Sequence, residues 1–199
     1  MSAPLGAVRV PLDAVSARVR AREAWAATIV IVVGTAVLVL RPYVAAPFGA
    51  RVSLFAVSYL TIGLASIAVP AERDRARLAP GFVLLMGFAA VALSASVAGT
   101  PVPLPWSAAA LPLSMLAAVA EEALFRRLAY ARLERLGAVV AVAGSALLFG
   151  LVHVPAYGFA ALPVDVGAGL LFGWQRWASG TWTVPAATHA FANALVVLR

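Results

Sequence analysis

The sequence predicts an all-α protein, a polytopic transmembrane helical bundle of about seven spans. Two observations carry this. Of 199 residues, 63% are hydrophobic and only 12% are charged, whereas an average soluble domain carries about 25% charged residues. The apolar residues also fall into blocks, each close to the roughly 20 residues needed to cross a hydrocarbon core.

In chain order the blocks are Trp25–Leu40, Val52–Val69, Gly81–Val97, Ser107–Ala120, Ala138–His153, Leu162–Trp174 and Trp182–Leu198. The fourth continues as helix well past its apolar part. The first, fourth and sixth are short, so six to eight spans fit the same sequence. Residues 1–24 form a polar, partly amphipathic tail, and residues 25–199 form a single transmembrane domain. The chain leaves no room for a separate soluble domain. A basic tail before an apolar run is also the pattern of a signal peptide. Here Arg41-Pro42 follows the run directly and six more apolar blocks come after, so a retained signal anchor fits better.

Placement of the arginines explains the net charge of +7. Arg9, Arg18, Arg20 and Arg22 precede the first span, and Arg73, Arg75 and Arg77 lie between the second and third. Arg126, Arg127, Arg132 and Arg135 follow the apolar part of the fourth, and Arg176 follows the sixth. With alternating spans these twelve share one side, leaving Arg41, Arg51 and Arg199 on the other. The positive-inside rule then sets the N-terminus in the cytoplasm and the C-terminus outside a cell membrane. Charge of this kind encodes orientation and argues against a nucleic-acid partner. Arg without Lys, with abundant Ala, suits a GC-rich bacterial genome. The lack of Cys removes disulfides, thiolate catalysis and thiolate metal sites.

Between the spans, Glu72–Arg77 reads as a solvated charged loop and Thr100–Pro105 as a stiff connector with three prolines. Trp25, Trp106, Trp174 and Trp182, with Gln175, Arg176 and Trp177, are placed to anchor at headgroups. Gly167, Gly169 and Gly173 permit close helix packing. Asp165 suits a helix N-terminus. No internal repeat of the transporter kind is evident.

Candidate chemistry lies in the C-terminal half. A helix runs without a breaker from Leu113 through Glu134, and Gly137 ends it before a new apolar helix begins at Ala138. This is an αα-hairpin. Glu121 lies about 15 residues before the turn and His153 about 16 after it, so both stand roughly 23–25 Å from the turn, at one level. The carboxylate and imidazole therefore meet side by side. His189 and Asn193 share one face of the last helix. If the hairpin projects beyond the lipid, all these groups meet inside the membrane, nearer the cytoplasmic face.

Ionisable groups inside a bilayer are costly and usually functional. Glu122 and Arg126 have the spacing of a helical ion pair, whereas Glu121 projects about 100° away with Phe125 at i+4. That reading leaves Glu121 as a free carboxylate suited to act as a base, and Glu122–Arg126 as scaffold. Phe149 shares a face with His153. Each feature has an ordinary structural reading as well: salt bridges at a span's end, a structural His before Pro155, an Asn as interhelical glue. Their convergence is what points to a site.

The stretches Glu121-Glu122-Ala-Leu-Phe125-Arg126, Phe149-Gly-Leu-Val-His153 and His189-Ala-Phe-Ala-Asn193 resemble the ordered motifs EExxxR, FxxxH and HxxxN of the CPBP intramembrane proteases. This family, also called Abi, covers CAAX proteases and bacteriocin-processing enzymes and includes the type II CAAX prenyl endopeptidases. The resemblance spans about residues 110–198, within a protease-like core at about 107–198. It departs at Arg127, where the family often has Gly, and this bears on local helix packing.

The resemblance implies endopeptidase activity on a membrane-bound or lipidated peptide or protein. Glu121 and His153 would activate water, and His189 and Asn193 would donate to the developing oxyanion. Glu122, Arg126 and Phe149 would give structural support. It leaves the metal open. Glu121, His153 and His189 have the ligand types of a Zn²⁺ site, but the chain has no HExxH and a glutamate–histidine water mechanism requires no cofactor. Two other readings come from the residues themselves: a small proton-coupled transporter using the same groups as a relay, and a non-catalytic membrane protein such as a bacteriocin-immunity factor.

Overall fold

A backbone facing hydrocarbon must satisfy its hydrogen bonds within its own segment, so apolar blocks of this length fold as helices. The computed structural model describes residues 12–44, 48–71, 74–97 and 108–198. Among these there are seven long helical elements and no strand. α1 is Leu12–Leu40, α2 is Phe48–Ala68 and α3 is Pro80–Val97. α4 is composite: Ala110–Glu122 is α-helical, Ala123–Ala129 π-helical and Tyr130–Leu133 α-helical, with a 3-10 turn at Glu134–Leu136. α5 is Ala138–Tyr157, α6 Leu162–Ser179 and α7 Thr183–Val197.

The expected hairpin is present, with its turn at Gly137 (φ +111°). Two boundaries differ from expectation. α1 extends back to Leu12, through most of the stretch expected as a tail, and α4 carries a π-helical stretch immediately after the paired glutamates. Within that stretch Tyr130 N–H bonds the Phe125 carbonyl, five residues back. Such bulges collect at functional sites. The Thr100–Pro105 connector and Trp106 lie outside the described residues, as do Glu72 and Arg73.

The protein is a helical membrane bundle. Segments of α1, α2, α3 and α5 are long and apolar enough to cross a membrane, and α7 is a shorter apolar helix. Their outer faces expose large apolar side chains such as Val32, Leu64 and Leu85, the arrangement lipid requires. α4 and α6 differ because their ionised and amide side chains face inward.

Those inward groups overturn the expected headgroup role of Gln175 and Arg176. Gln175 is fully buried; its Nε2 donates to the Val83 carbonyl at 3.1 Å and to Thr188 Oγ1 at 2.9 Å, joining α3, α6 and α7. Arg176 is buried too. Its NH1 lies 2.7 Å from Asp74 and its Nε donates to the Arg126 carbonyl at 3.0 Å, within the π-helical stretch. A buried polar group needs its partners inside the fold; Gln175 Nε2 and the Arg176 guanidinium find theirs, while Gln175 Oε1 has none among the described residues.

The loop before α3 is likewise not simply solvated. Asp74 is ion-paired, and Arg77 donates to the Trp177 carbonyl at 2.7 Å while lying over the Trp177 ring. Arg77 and Leu78 N–H groups both bond the Ala178 carbonyl. Gly180 makes this approach possible. Its φ is +69°, and a Cβ there would stand 2.6 Å from the Asp74 carbonyl oxygen.

Gly169 and Gly173 pack closely on Ala146 and Val142 of α5, as expected, but Gly167 meets nothing within 4 Å. Arg127, the departure from the family pattern, donates to the Ser66 and Val69 carbonyls at the end of α2. Those carbonyls have no acceptor role left inside their own helix.

Candidate active site

α4 and α5 pack antiparallel, and the counting argument holds: Glu121 Oε2 lies 3.6 Å from His153 Nε2. Both side chains are almost sealed, Glu121 at 3% and His153 at 8% exposure. His153 Nδ1 lies 2.7 Å from the Phe149 carbonyl. A carbonyl only accepts, so Nδ1 must carry the hydrogen there, and in the neutral ring Nε2 keeps its lone pair toward Glu121. The Phe149 ring contacts the His153 ring, with centroids 4.6 Å apart.

Glu121 is not unpartnered, contrary to the sequence expectation. Arg41 NH1 donates to Glu121 Oε1 at 2.8 Å and to the Tyr59 hydroxyl at 2.7 Å. Arg41 immediately follows α1, and Tyr59 is buried in the middle of α2. Neither belongs to a motif. The signal in the sequence is an arginine abutting a short apolar run, which the positive-inside rule treats only as an orientation charge. Arg41 belongs to the end of α1 remote from the N-terminal arginines. The charge covering Glu121 therefore comes from the side opposite the expected cytoplasmic approach.

The second glutamate builds a separate cluster. Glu122 Oε1 accepts from Arg126 NH1 at 3.2 Å, the predicted i,i+4 pair, and lies 3.0 Å from His189 Nδ1. Arg126 is fully buried, within 4.7 Å of the Phe149 ring centroid and 5.4 Å of the Phe172 centroid. Its NH2 donates to the Gly169 carbonyl at 3.0 Å. His189, 7% exposed, stacks on Phe172 and meets Phe149 edge-on. Glu122 is thus a junction between α4 and α7 as well as a scaffold. Phe149 touches both imidazoles.

Asn193 makes a contact of its own. Its Nδ2 donates to the Ser114 carbonyl at 2.9 Å, tying α7 to α4 two turns before Glu121. Asp165 stands in the first turn of α6, as expected for a helix start, but it also interacts electrostatically with His153 and Glu121. Its Oδ2 is buried without a hydrogen-bond partner among the described residues.

Among the described residues no group of three His, Asp or Glu side chains is placed to hold a metal ion. Glu121 already faces the Arg41 guanidinium, and His189 turns its Nδ1 to Glu122. A second cation at Glu121 would be repelled by Arg41.

A family model described as type II CAAX prenyl endopeptidase Rce1-like matches residues 103–195. That segment is a CAAX protease domain of the CPBP family. No curated protein and no solved structure matches the chain. The CAAX protease domain takes in α4 through nearly all of α7, and so includes both glutamate clusters. Arg41 and Tyr59 lie outside it.

Proposed function

We propose that the protein is an intramembrane endopeptidase that hydrolyses a peptide bond in a membrane-anchored or lipid-modified substrate, using water activated by Glu121 and His153. The observation that carries this reading is the 3.6 Å separation of Glu121 Oε2 and His153 Nε2. That gap is too long for a direct hydrogen bond and short enough for one water to donate to both acceptors. Such a water keeps its lone pairs for attack on a carbonyl carbon. Glu121 takes its proton during attack and returns it to the leaving amine.

His189 is the candidate oxyanion donor. To donate from Nε2 while Nδ1–H bonds Glu122 it must be doubly protonated, and the Glu122 carboxylate is the natural counter-ion. Asn193 Nδ2 spends one hydrogen on the Ser114 carbonyl and keeps a second to donate. The mechanism as proposed needs no cofactor. Arginine placement favours a cytoplasmic N-terminus.

The test uses purified protein in detergent with a lipidated fluorogenic peptide. Glu121→Gln and His153→Ala lower cleavage at least a hundredfold with the fold retained, and chelator has no effect. Cleavage by Glu121→Gln at the parental rate would remove Glu121 as base. Loss of activity with chelator, restored by zinc, would reinstate the metal.

A further inference from the structure

A cleft of about 550 Å³, lined by neither Glu121 nor Glu122, lies between α1, α4 and the loop before α3. Its volume is that of a small-ligand site. Arg20, Arg132 and Arg135 line it, and among the described residues none of the three has an ion-pair partner.

The acidic lining does not neutralise them. Asp74 is engaged by Arg176 at 2.7 Å. Burial, and then the neighbouring Asp74, push the Glu134 carboxyl above its ordinary range. Glu23 is the remaining carboxylate among the described lining residues. Among those residues three guanidinium groups thus outnumber the two carboxylates, Glu23 and Glu134, that Arg176 does not engage. Arg132 is also held in place by donation to the Ala24 carbonyl, so one guanidinium is positioned before any ligand arrives.

Polarity changes across the cleft. Ala27 and Leu128 line it and belong to a buried apolar cluster, whereas Arg20 lies a turn beyond Trp25, which is 70% exposed. An exposed Trp at the edge of an apolar run marks headgroup depth. The cleft therefore offers guanidinium groups at the interface and an apolar wall below it.

We infer that this cleft is a binding site for the phosphate headgroup of an anionic phospholipid, with Arg20, Arg132 and Arg135 as its ligands. Guanidinium forks match phosphate oxygens, and basic pockets between membrane helices collect anionic headgroups. The lipid's chains would continue along the Ala27 and Leu128 wall. The inference does not depend on the proposed protease chemistry.

Native mass spectrometry of the full chain in detergent tests it, titrating dioleoyl phosphatidylglycerol, dioleoyl phosphatidylcholine and inorganic phosphate separately. Phosphatidylglycerol binds at least tenfold more tightly than phosphatidylcholine, and the double substitution Arg132→Gln, Arg135→Gln removes that preference. Arg20→Gln, at an exposed helix position where folding is not at risk, weakens it severalfold. Arg51→Gln, outside the cleft, leaves it unchanged. Equal binding of the two lipids, or unchanged preference in Arg20→Gln and the double variant, overturns the site. Inorganic phosphate competing at the lipid's own concentration would overturn the lipid in favour of a soluble phosphate.

Discussion

Arg41 and Glu121 stand 80 positions apart in the chain and 2.8 Å apart in the fold. The arginine comes from outside the CAAX protease domain and grips the carboxylate proposed as its base. Removing one member of a buried pair leaves the other charge uncompensated, at a cost of about 3–5 kcal/mol. Arg41→Gln therefore lowers the unfolding midpoint and abolishes most cleavage, because Glu121 loses the guanidinium that holds its carboxylate in place. In a Glu121→Gln background the same change costs far less. A double-mutant cycle on thermal unfolding should give a coupling near 3 kcal/mol; additive effects would show that the pair is inert.

Arg126 supports the second cluster in the same way. Arg126→Leu leaves Glu122 with His189 alone and the Gly169 carbonyl without its donor, a loss of about 3–5 kcal/mol. Glu122→Gln together with Arg126→Leu removes both charges and recovers part of that loss. Recovery of stability without recovery of cleavage is the expected result, since His189 has then lost its counter-ion. Unfolding in detergent and the peptide assay read the two separately.

The Glu134 carboxyl is raised above its ordinary value of 4.5, by burial first and then by Asp74. A carboxyl with a higher value when folded binds its proton more tightly in the native state. Its stabilisation is complete below the unfolded value and is lost as pH rises through the folded one. The unfolding midpoint should fall as pH climbs from about 4.5 toward neutrality, and Glu134→Gln should flatten that slope. An unchanged slope in the variant would place the proton elsewhere.

Gly169 and Gly167 are two residues apart with opposite expectations. A Cβ at Gly169 would stand 2.8 Å from the Ala146 Cα, whereas one at Gly167 meets nothing within 4 Å. Gly169→Ala pushes α6 from α5 and moves the carbonyl that Arg126 bonds, so stability and cleavage both drop. Gly167→Ala leaves both unchanged or slightly improved, since Ala is the better helix former. Identical behaviour of the two would contradict the packing described.

These examples divide what could be read from the chain from what could not. Seven helices follow from block length and composition. The Glu121–His153 meeting follows from a rise of about 1.5 Å per residue counted from a single turn. The Glu122–Arg126 pair needs only helical periodicity. For Arg41, Gln175 and Arg176 the fold differs from the sequence expectation for one reason: each sits at the end of an apolar run, where sequence alone does not say whether a side chain turns outward to headgroups or inward to a partner.

The sequence by itself determined the elements, the hairpin register and the short-range pairs, because one helix or one turn fixes those distances. Tertiary packing decided that Arg41 covers Glu121, that His189 binds Glu122, that Asn193 ties to Ser114 and that Arg176 bonds the widened turn of α4. Partners from helices distant in sequence depend on how those helices cross, and no periodicity along the chain encodes that.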